Sequence, residues 1–357
     1  MKNFNTNTIQ QHNISCRVIF YLVLLLLCFS FPLLFTGCGK EKPVMAFIPD
    51  EPYIIQSSPI DFDPATLNAI PDNPYPTLSV PTYITKIEDT YFIVDCYHNQ
   101  IIYHDNLTDP LYEWQIMTNT LSMPHTIAGD GSVYVIDDTE NNRILIMEKS
   151  VNENGQSIFI PTQEFTQVGN RPHYIIYHEP TDTFYVWSSQ NGEMYLLRHP
   201  ENDTTMYLTE IRSIPSLSNV YVRSFTITGN SIYFVSGNSS VIEADLDTFK
   251  IRKEYPVPDE IAGMVQLTPI EDYYYITIST DVTGSQDYAT MIRTKSLKDL
   301  SQGNYEDIYH YFVGGGTPYY ITQIDDNWYL TEHRLPGHSI WEFQVMDNTI
   351  TNVTAIY

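Results

Sequence analysis

Pro81-Thr82-Tyr83-Ile84-Thr85-Lys86-Ile87-Glu88-Asp89-Thr90-Tyr91-Phe92-Ile93-Val94-Asp95 is the stretch whose reading decides the fold, because it occurs twice. The second copy reads Pro318-Tyr319-Tyr320-Ile321-Thr322-Gln323-Ile324-Asp325-Asp326-Asn327-Trp328-Tyr329-Leu330-Thr331-Glu332. The two align without a gap, and Pro, Tyr, Ile, Thr, Ile and Asp coincide. Each predicts strand, tight acidic turn, strand. The apolar residues are β-branched or aromatic and suit a pleated, packed surface. Glu88-Asp89 and Asp325-Asp326 fall where a short hairpin connection is needed.

The second strand of this unit recurs between the two copies. It returns as Val133-Tyr134-Val135-Ile136-Asp137, Phe184-Tyr185-Val186-Trp187-Ser188, Ile232-Tyr233-Phe234-Val235-Ser236 and Tyr274-Tyr275-Ile276-Thr277-Ile278. The spacing is roughly forty to fifty-five residues, the period of propeller blades. Two further strands follow each copy, for example Leu111–Ile116 closing the first and Ile308–Phe312 the fifth. The expected fold is all-β: a six-bladed β-propeller of four-stranded antiparallel blades over residues 81–357.

Pro-His-x-Ile, then a β-rich run ending in Asp, then Asn-Arg-Ile resembles the NHL-repeat class of six-bladed propeller. Pro124-His125-Thr126-Ile127, Val133–Asp137 and Asn141-Asn142-Arg143-Ile144 carry the resemblance best. It implies protein or ligand binding, with occasional enzymes such as the peptidyl amidating lyase, so the fold does not name an activity.

Ahead of the propeller, Val18 through Phe35 is a near-continuous apolar run preceded by Lys2 and Arg17 and no acid. It ends in Leu34-Phe35-Thr36-Gly37-Cys38. That is the plan of a secretory signal meeting what resembles a bacterial lipoprotein box, with residues 1–37 as signal peptide and Cys38 as the lipidated residue. An uncleaved membrane helix is the alternative. Either places the remainder at the cell membrane or outer envelope, facing outside the cytoplasm. Residues 38–80 are Pro-rich and read as an extended tether, part of which packs on the domain as an edge strand.

The formal charge is -25, with 43 acidic residues against 18 basic. Such a surface repels phosphate backbones, which excludes nucleic acid as a partner class. With Cys16 and Cys28 in the leader and Cys38 lipidated, Cys96 is left alone, and it reads as a buried structural thiol.

In a four-stranded blade the first strand lines the channel. The connection into it and the loop between its second and third strands reach the same face. Thr82, His125, His173, Ser224, Met264 and Tyr319 are therefore expected at the channel mouth. Asn170, Arg171, Arg223 and Gly314–Gly316 lie in neighbouring connections. The second-to-third loops add Asp95, His98, Asp137, Asp138, Glu140, Glu332, His333, Arg334 and His338, and blade five adds Asp281 and Asp287.

This is the expected binding face. His125 and His173, both after Pro in adjacent blades, could hold a divalent metal or act as an acid/base pair, or simply hydrogen-bond across the channel. Asp95, Asp137 and Glu332 could ligate cations or cap backbone amides. Arg171 and Arg223 could clamp a carboxylate or phosphate. No nucleophile elbow, phosphate loop, metalloprotease motif or EF-hand loop occurs.

The expectation is a membrane-tethered binding module for a protein, peptide or glycan, with no cofactor firmly implied. The alternatives are a channel-centred, metal-assisted lyase or hydrolase and a scaffold subunit of an envelope complex.

Overall fold

A computed structural model describes residues 55–62, 70–313, 316–333 and 339–357. Six separate four-stranded antiparallel units occur in chain order, each with its strands hydrogen-bonded in sequence. The first strands are Pro81–Ile87, Ile127–Gly129, Pro172–His178, Val222–Thr228, Gly263–Ile270 and Thr317–Ile324. The second are Thr90–Asp95, Val133–Asp138, Thr183–Ser188, Ser231–Ser236, Tyr273–Thr280 and Asn327–His333. The six-bladed propeller is thus as the repeats predict.

Six apolar clusters fill the six junctions between blades. Phe92 and Tyr134 meet between blades 1 and 2, Trp187 and Phe234 between blades 3 and 4, and Tyr275 and Phe343 between blades 5 and 6. These rings alternate along strands with residues facing the other neighbour, which explains the Tyr-rich composition without invoking a ligand. Hydroxyls stitch the innermost backbones together: Thr82 Oγ1 donates to His125 O at 2.9 Å, Ser224 Oγ to Val265 O at 2.6 Å, and Thr277 Oγ1 to Tyr319 O at 2.6 Å.

No strand crosses from one blade into another among the described residues. Blade 6 therefore meets blade 1 through side chains. Ile324, Tyr329 and Ile340 pack on Ile84, Ile93 and Trp114. Thr331 Oγ1 donates to Thr82 O at 2.8 Å, and Lys86 pairs with Asp325 at 2.9 Å. Tyr357 sets its ring edge-on to Trp114, and its hydroxyl meets the carbonyls of Leu107 and Asp109 and the Trp114 indole N–H.

Part of the Pro-rich segment docks as expected. Gln56–Pro59 adds a fifth, edge strand to blade 2, antiparallel to Ser157–Thr166. Asp72 bridges to Gln115, Asn73 is buried, and Tyr75 stacks flat on His98.

Two fourth strands differ from expectation. Leu111–Glu113 forms a 3-10 turn after Pro110, and the strand begins only at Gln115. In blade 5 the strand is Glu306–Asp307, and Tyr309–Tyr311 is a 3-10 turn whose first amide is held by Asp307 Oδ1 at 2.9 Å. Both runs are aromatic enough to read as strands, but a fixed Pro φ or an Asp cap starts a turn instead. Among the described residues no helix is long and apolar enough to cross a membrane. The apolar run 18–35 and Cys38 lie outside the described residues.

Candidate functional site

Strand register fixes which side chains reach the mouth. Pro81 pairs with Asp95, Pro172 with Ser188, Val222 with Ser236 and Pro318 with Glu332, and a one-residue bulge follows each pair. In blade 5 the corresponding pair is Met264 with Ile278. The bulged residue after each pair sits at the mouth. It is Thr82, His173, Arg223, Val265 and Tyr319, with His125 in the same place after Pro124. Sequence alignment put Ser224 and Met264 there. The structure moves each by one residue, so Arg223 joins the ring of mouth residues itself.

The backbone before these positions is strained. Val80, Met123 and Arg171 each precede the proline and hold φ of 58°, 55° and 61°. Left-handed φ in a non-glycine residue costs about 1–3 kcal/mol and clusters at functional loops. Here it turns three successive connections, including Arg171, over the same mouth.

The carboxylates divide by register as well. Asp138, not Asp137, occupies the place of Asp95. Asp95 accepts from Ser79 N at 2.7 Å, and Asp138 from Ser122 N at 2.6 Å. Asp137, one residue earlier, is fully buried beneath His125. It accepts from the amides of His125 (2.8 Å) and Thr126 (2.5 Å) and the hydroxyls of Thr126 (2.7 Å) and Thr139 (2.8 Å). Burial pushes its carboxyl up to about 7, and those four donors oppose the rise. Asp95 also holds His98 Nδ1 at 2.6 Å. Glu332 takes the Trp341 indole N–H at 3.0 Å and faces Tyr309. Asp95, Asp137 and Glu332 thus fasten the scaffold, and their contacts are not with a shared central point.

The two histidines do come together. Their rings stack with centroids 3.8 Å apart. Tyr320 OH donates to Arg223 O at 3.1 Å, so its oxygen accepts from His173 Nδ1, also at 3.1 Å. That places the His173 proton on Nδ1 and leaves Nε2 as acceptor. Tyr221 OH lies 3.0 Å and Tyr319 OH 3.3 Å from that single lone pair. Only one can donate well; the nearer Tyr221 takes it, and the Tyr319 proton is left for another acceptor.

On the other ring, Thr139 has one proton and two acceptors, Asp137 Oδ2 and Pro172 O, so its lone pair faces His125 Nδ1 at 3.0 Å. Burial first, then the Arg171 charge, lowers His125 to about 3. Burial, then His125 and Arg223, holds His173 well below the ordinary imidazole value. Both are neutral at physiological pH.

Around this pair stand Arg171, Arg223, Tyr319 and His333. Arg171 pairs with Glu140, and its Nε is buried without a partner among the described residues. Arg223 lies over the Tyr221 ring at 4.7 Å. His333 stacks on Tyr319 at 4.5 Å. Gly314, Gly315, Arg334 and His338 lie outside the described residues.

Sequence reasoning missed Tyr221, Tyr320 and Thr139. Tyr221 precedes Val222 as Arg171 precedes Pro172, and that correspondence was the available signal. His199 is half-buried and pairs with Asp130 at 2.6 Å. Cys96 is buried and free, its thiol pushed up by desolvation.

The channel behind the mouth is filled. Tyr174, Tyr320 and Tyr83 meet edge-to-face on the axis, with Tyr174–Tyr320 centroids 4.9 Å apart. Two cavities among the described residues lie elsewhere. One of about 590 Å³ opens at the opposite end of the channel beside Lys86, Asp130 and Tyr177. Another of about 640 Å³ lies in blade 5 among Asp287, Tyr288, Tyr305 and Asp307.

A metal at the histidines does not fit the donors. His125 Nδ1 and both His173 nitrogens are engaged by hydroxyls, and no three His, Cys, Asp or Glu converge among the described residues.

No protein-family model matches the chain, and no curated protein matches it. Solved structures do share the fold. The periplasmic gluconolactonase of Pseudomonas aeruginosa superposes with a TM-score of 0.52 at 11% identity, over 77% of this chain and 84% of that one. A streptogramin B lyase gives 0.50 at 17% identity, over 83% and 86%. A Bacteroides uniformis protein provisionally assigned as a 6-phosphogluconolactonase gives 0.53 at 12%, over 78% and 84%. At these identities the likeness is one of fold.

Proposed function

We propose that this chain is a membrane-tethered, extracytoplasmic β-propeller, a distant relation of the NHL-repeat class, that binds a protein, peptide or glycan at the mouth ringed by His125, His173, Arg223 and Tyr319. The observation that carries it is the convergence of those side chains with Arg171 and His333 on one strained face above a filled channel. With the axis closed by aromatic rings, a ligand engages the mouth rather than threading the ring.

The second reading, a lyase or hydrolase, draws on the neutral imidazole of His173 between two tyrosine hydroxyls. Proton transfer is most efficient when the group's pKa lies near the working pH. Burial and two guanidinium groups hold both imidazoles far below it, which favours binding over acid/base work. The gluconolactonase and the lyase share the fold and leave the chemistry of this chain open.

The test is a peptide and glycan array probed with labelled, detergent-solubilised full-length protein. Ligands should be lost with Tyr319→Ala or His173→Asn and kept with Lys250→Gln, an exposed change far from the mouth. Retention by both mouth variants refutes the reading. Acylation is tested separately: Cys38→Ala should release the protein from the membrane fraction.

A further inference from the structure

We propose that the mouth receives an oxyanion of its ligand, a carboxylate or a phosphate, at the guanidinium groups of Arg171 and Arg223. This rests on the mouth being the binding face. It adds the chemical class of what is bound there.

In a chain with 43 acidic and 18 basic residues, an arginine without a carboxylate is unusual. Arg143 holds Asp138 and Glu164, Arg212 holds Glu210, Arg252 holds Asp245 and Arg293 holds Glu306. Arg223 has no acid among the described residues. Its recorded hydrogen bond is a long one, 3.4 Å from Nη1 to Met264 O, and its plane rests on Tyr221. A guanidinium carries five N–H donors, so most of its fork is uncommitted. Arg198 also lacks an acid, but it bonds Thr183 at the opposite end of blade 3.

Arg171 is half-committed. Glu140 takes Nη1, while Nε on the other edge is buried and has no partner among the described residues. An unpaired buried N–H carries an unrecovered desolvation cost, which an acceptor brought to that edge removes.

Apart from Glu140 at Arg171, the acids nearest the mouth are held by other donors. Asp137 is saturated by four donors, Asp95 is held by Ser79 and His98, and Glu332 by Trp341. The excess positive field is already felt by the imidazoles, since both guanidinium groups act on each of them. The Tyr319 hydroxyl, second to Tyr221 at His173 Nε2, supplies a neutral donor beside the two charges. Two guanidinium forks and a hydroxyl are the donor set that planar or tetrahedral oxyanions select.

The experiment titrates full-length protein in micelles by calorimetry with three charged probes and their neutral counterparts. These are trigalacturonate against its methyl ester, acetyl-triglycine against its amide, and inorganic phosphate against glycerol. Binding of one charged probe, with its counterpart weaker by about tenfold or more, is expected. Carboxylate and phosphate probes distinguish the two sources. Arg223→Gln should weaken that probe about tenfold, Arg223→Lys by less because charge without the fork remains, and Lys250→Gln not at all. Circular dichroism establishes that each variant is folded, and Arg223, with its single long bond, is the safer of the two to change.

Charged and neutral probes binding alike, no charged probe binding, or Arg223→Gln binding as wild type each overturns the proposal. If that happens while array ligands still require Tyr319 and His173, the anion class fails and the binding face stands. If array binding ignores the mouth, the face itself fails.

Discussion

Replacing Tyr357 by Phe tests how this ring closes. Each blade draws its four strands from consecutive sequence, so blades 6 and 1 share no strand among the described residues. Their junction depends on packing and on a few polar ties, of which the Tyr357 hydroxyl is the most connected. It bonds Leu107 O, lies 2.8 Å from Asp109 O, and accepts from Trp114 Nε1 at 3.1 Å. Phe keeps the edge-on contact with Trp114 and removes only the oxygen. The indole N–H retains Asp109 O at 3.1 Å, so no buried donor is stranded. The loss is one donated and one accepted bond at about 0.5–1.5 kcal/mol each, or about 1–3 kcal/mol. For a domain of this size 1 kcal/mol moves the midpoint by about 2 °C. Urea unfolding followed by tryptophan fluorescence reads it, because Trp114 reports on this junction. Tyr112→Phe, on a ring 64% exposed, is the matched control and should change nothing. A Tyr357→Phe protein as stable as that control would show that the Tyr357 hydroxyl is dispensable and that packing and the remaining ties close the ring.

Two further outcomes follow from buried charge. Asp137→Asn keeps the shape but turns an amide NH₂ toward donors that a carboxylate satisfied, so stability should fall by about 2–4 kcal/mol in urea, with the mouth the first region to lose protection from amide exchange. The Asp130 carboxylate raises His199 to about 9. The folded state therefore binds the proton more tightly than the unfolded chain. Stability from this pair is complete below the unfolded value near 6.5 and is lost as pH rises through about 9, by about 1–3 kcal/mol after allowance for solvent screening. Asp130→Asn should flatten that slope; an unchanged slope between pH 6.5 and 9 would assign it to other groups.

The blades were legible because their first two strands carry β-branched and aromatic residues at period two, with turn residues between. What alternation cannot show is an inserted residue. The bulge after each first pair shifted the true mouth positions to Arg223 and Val265, one place from where counting put them. The doublet Asp137-Asp138 offered two registers, and only the turn that follows, with Asn142 left-handed as Asn99 is in blade 1, selects Asp138 as the partner of Asp95. Leu111–Ile116 and Ile308–Phe312 misled for a different reason: their composition suits a strand, while Pro110 and Asp307 dictate a turn. The pairing of His125 with His173 was legible because both follow Pro in adjacent blades. The tyrosines that fix their protons were not, since Tyr221 and Tyr320 reach His173 from blades 4 and 6.

The fate of the tyrosines bears on what kind of ligand the mouth can hold. Of the twenty-eight, Tyr134, Tyr185, Tyr195, Tyr275 and Tyr329 are buried between blades. Tyr174 and Tyr320 are consumed in closing the axis. Broad aromatic capture, as for an undecorated glycan, would need exposed ring faces at the mouth. There Tyr319 is covered by His333, and Tyr221 is faced by Arg223. The donors left with capacity are the Arg223 fork, the Arg171 Nε edge and the Tyr319 hydroxyl. Donors with capacity to spare, set on a strained rim of an otherwise acidic molecule, select for what the ligand carries in charge rather than for its apolar area. Binding that weakens with added salt follows from this arrangement, because a partly exposed guanidinium and its anion are screened over a Debye length of about 8–10 Å at physiological ionic strength. Binding held by ring stacking would not weaken in that way.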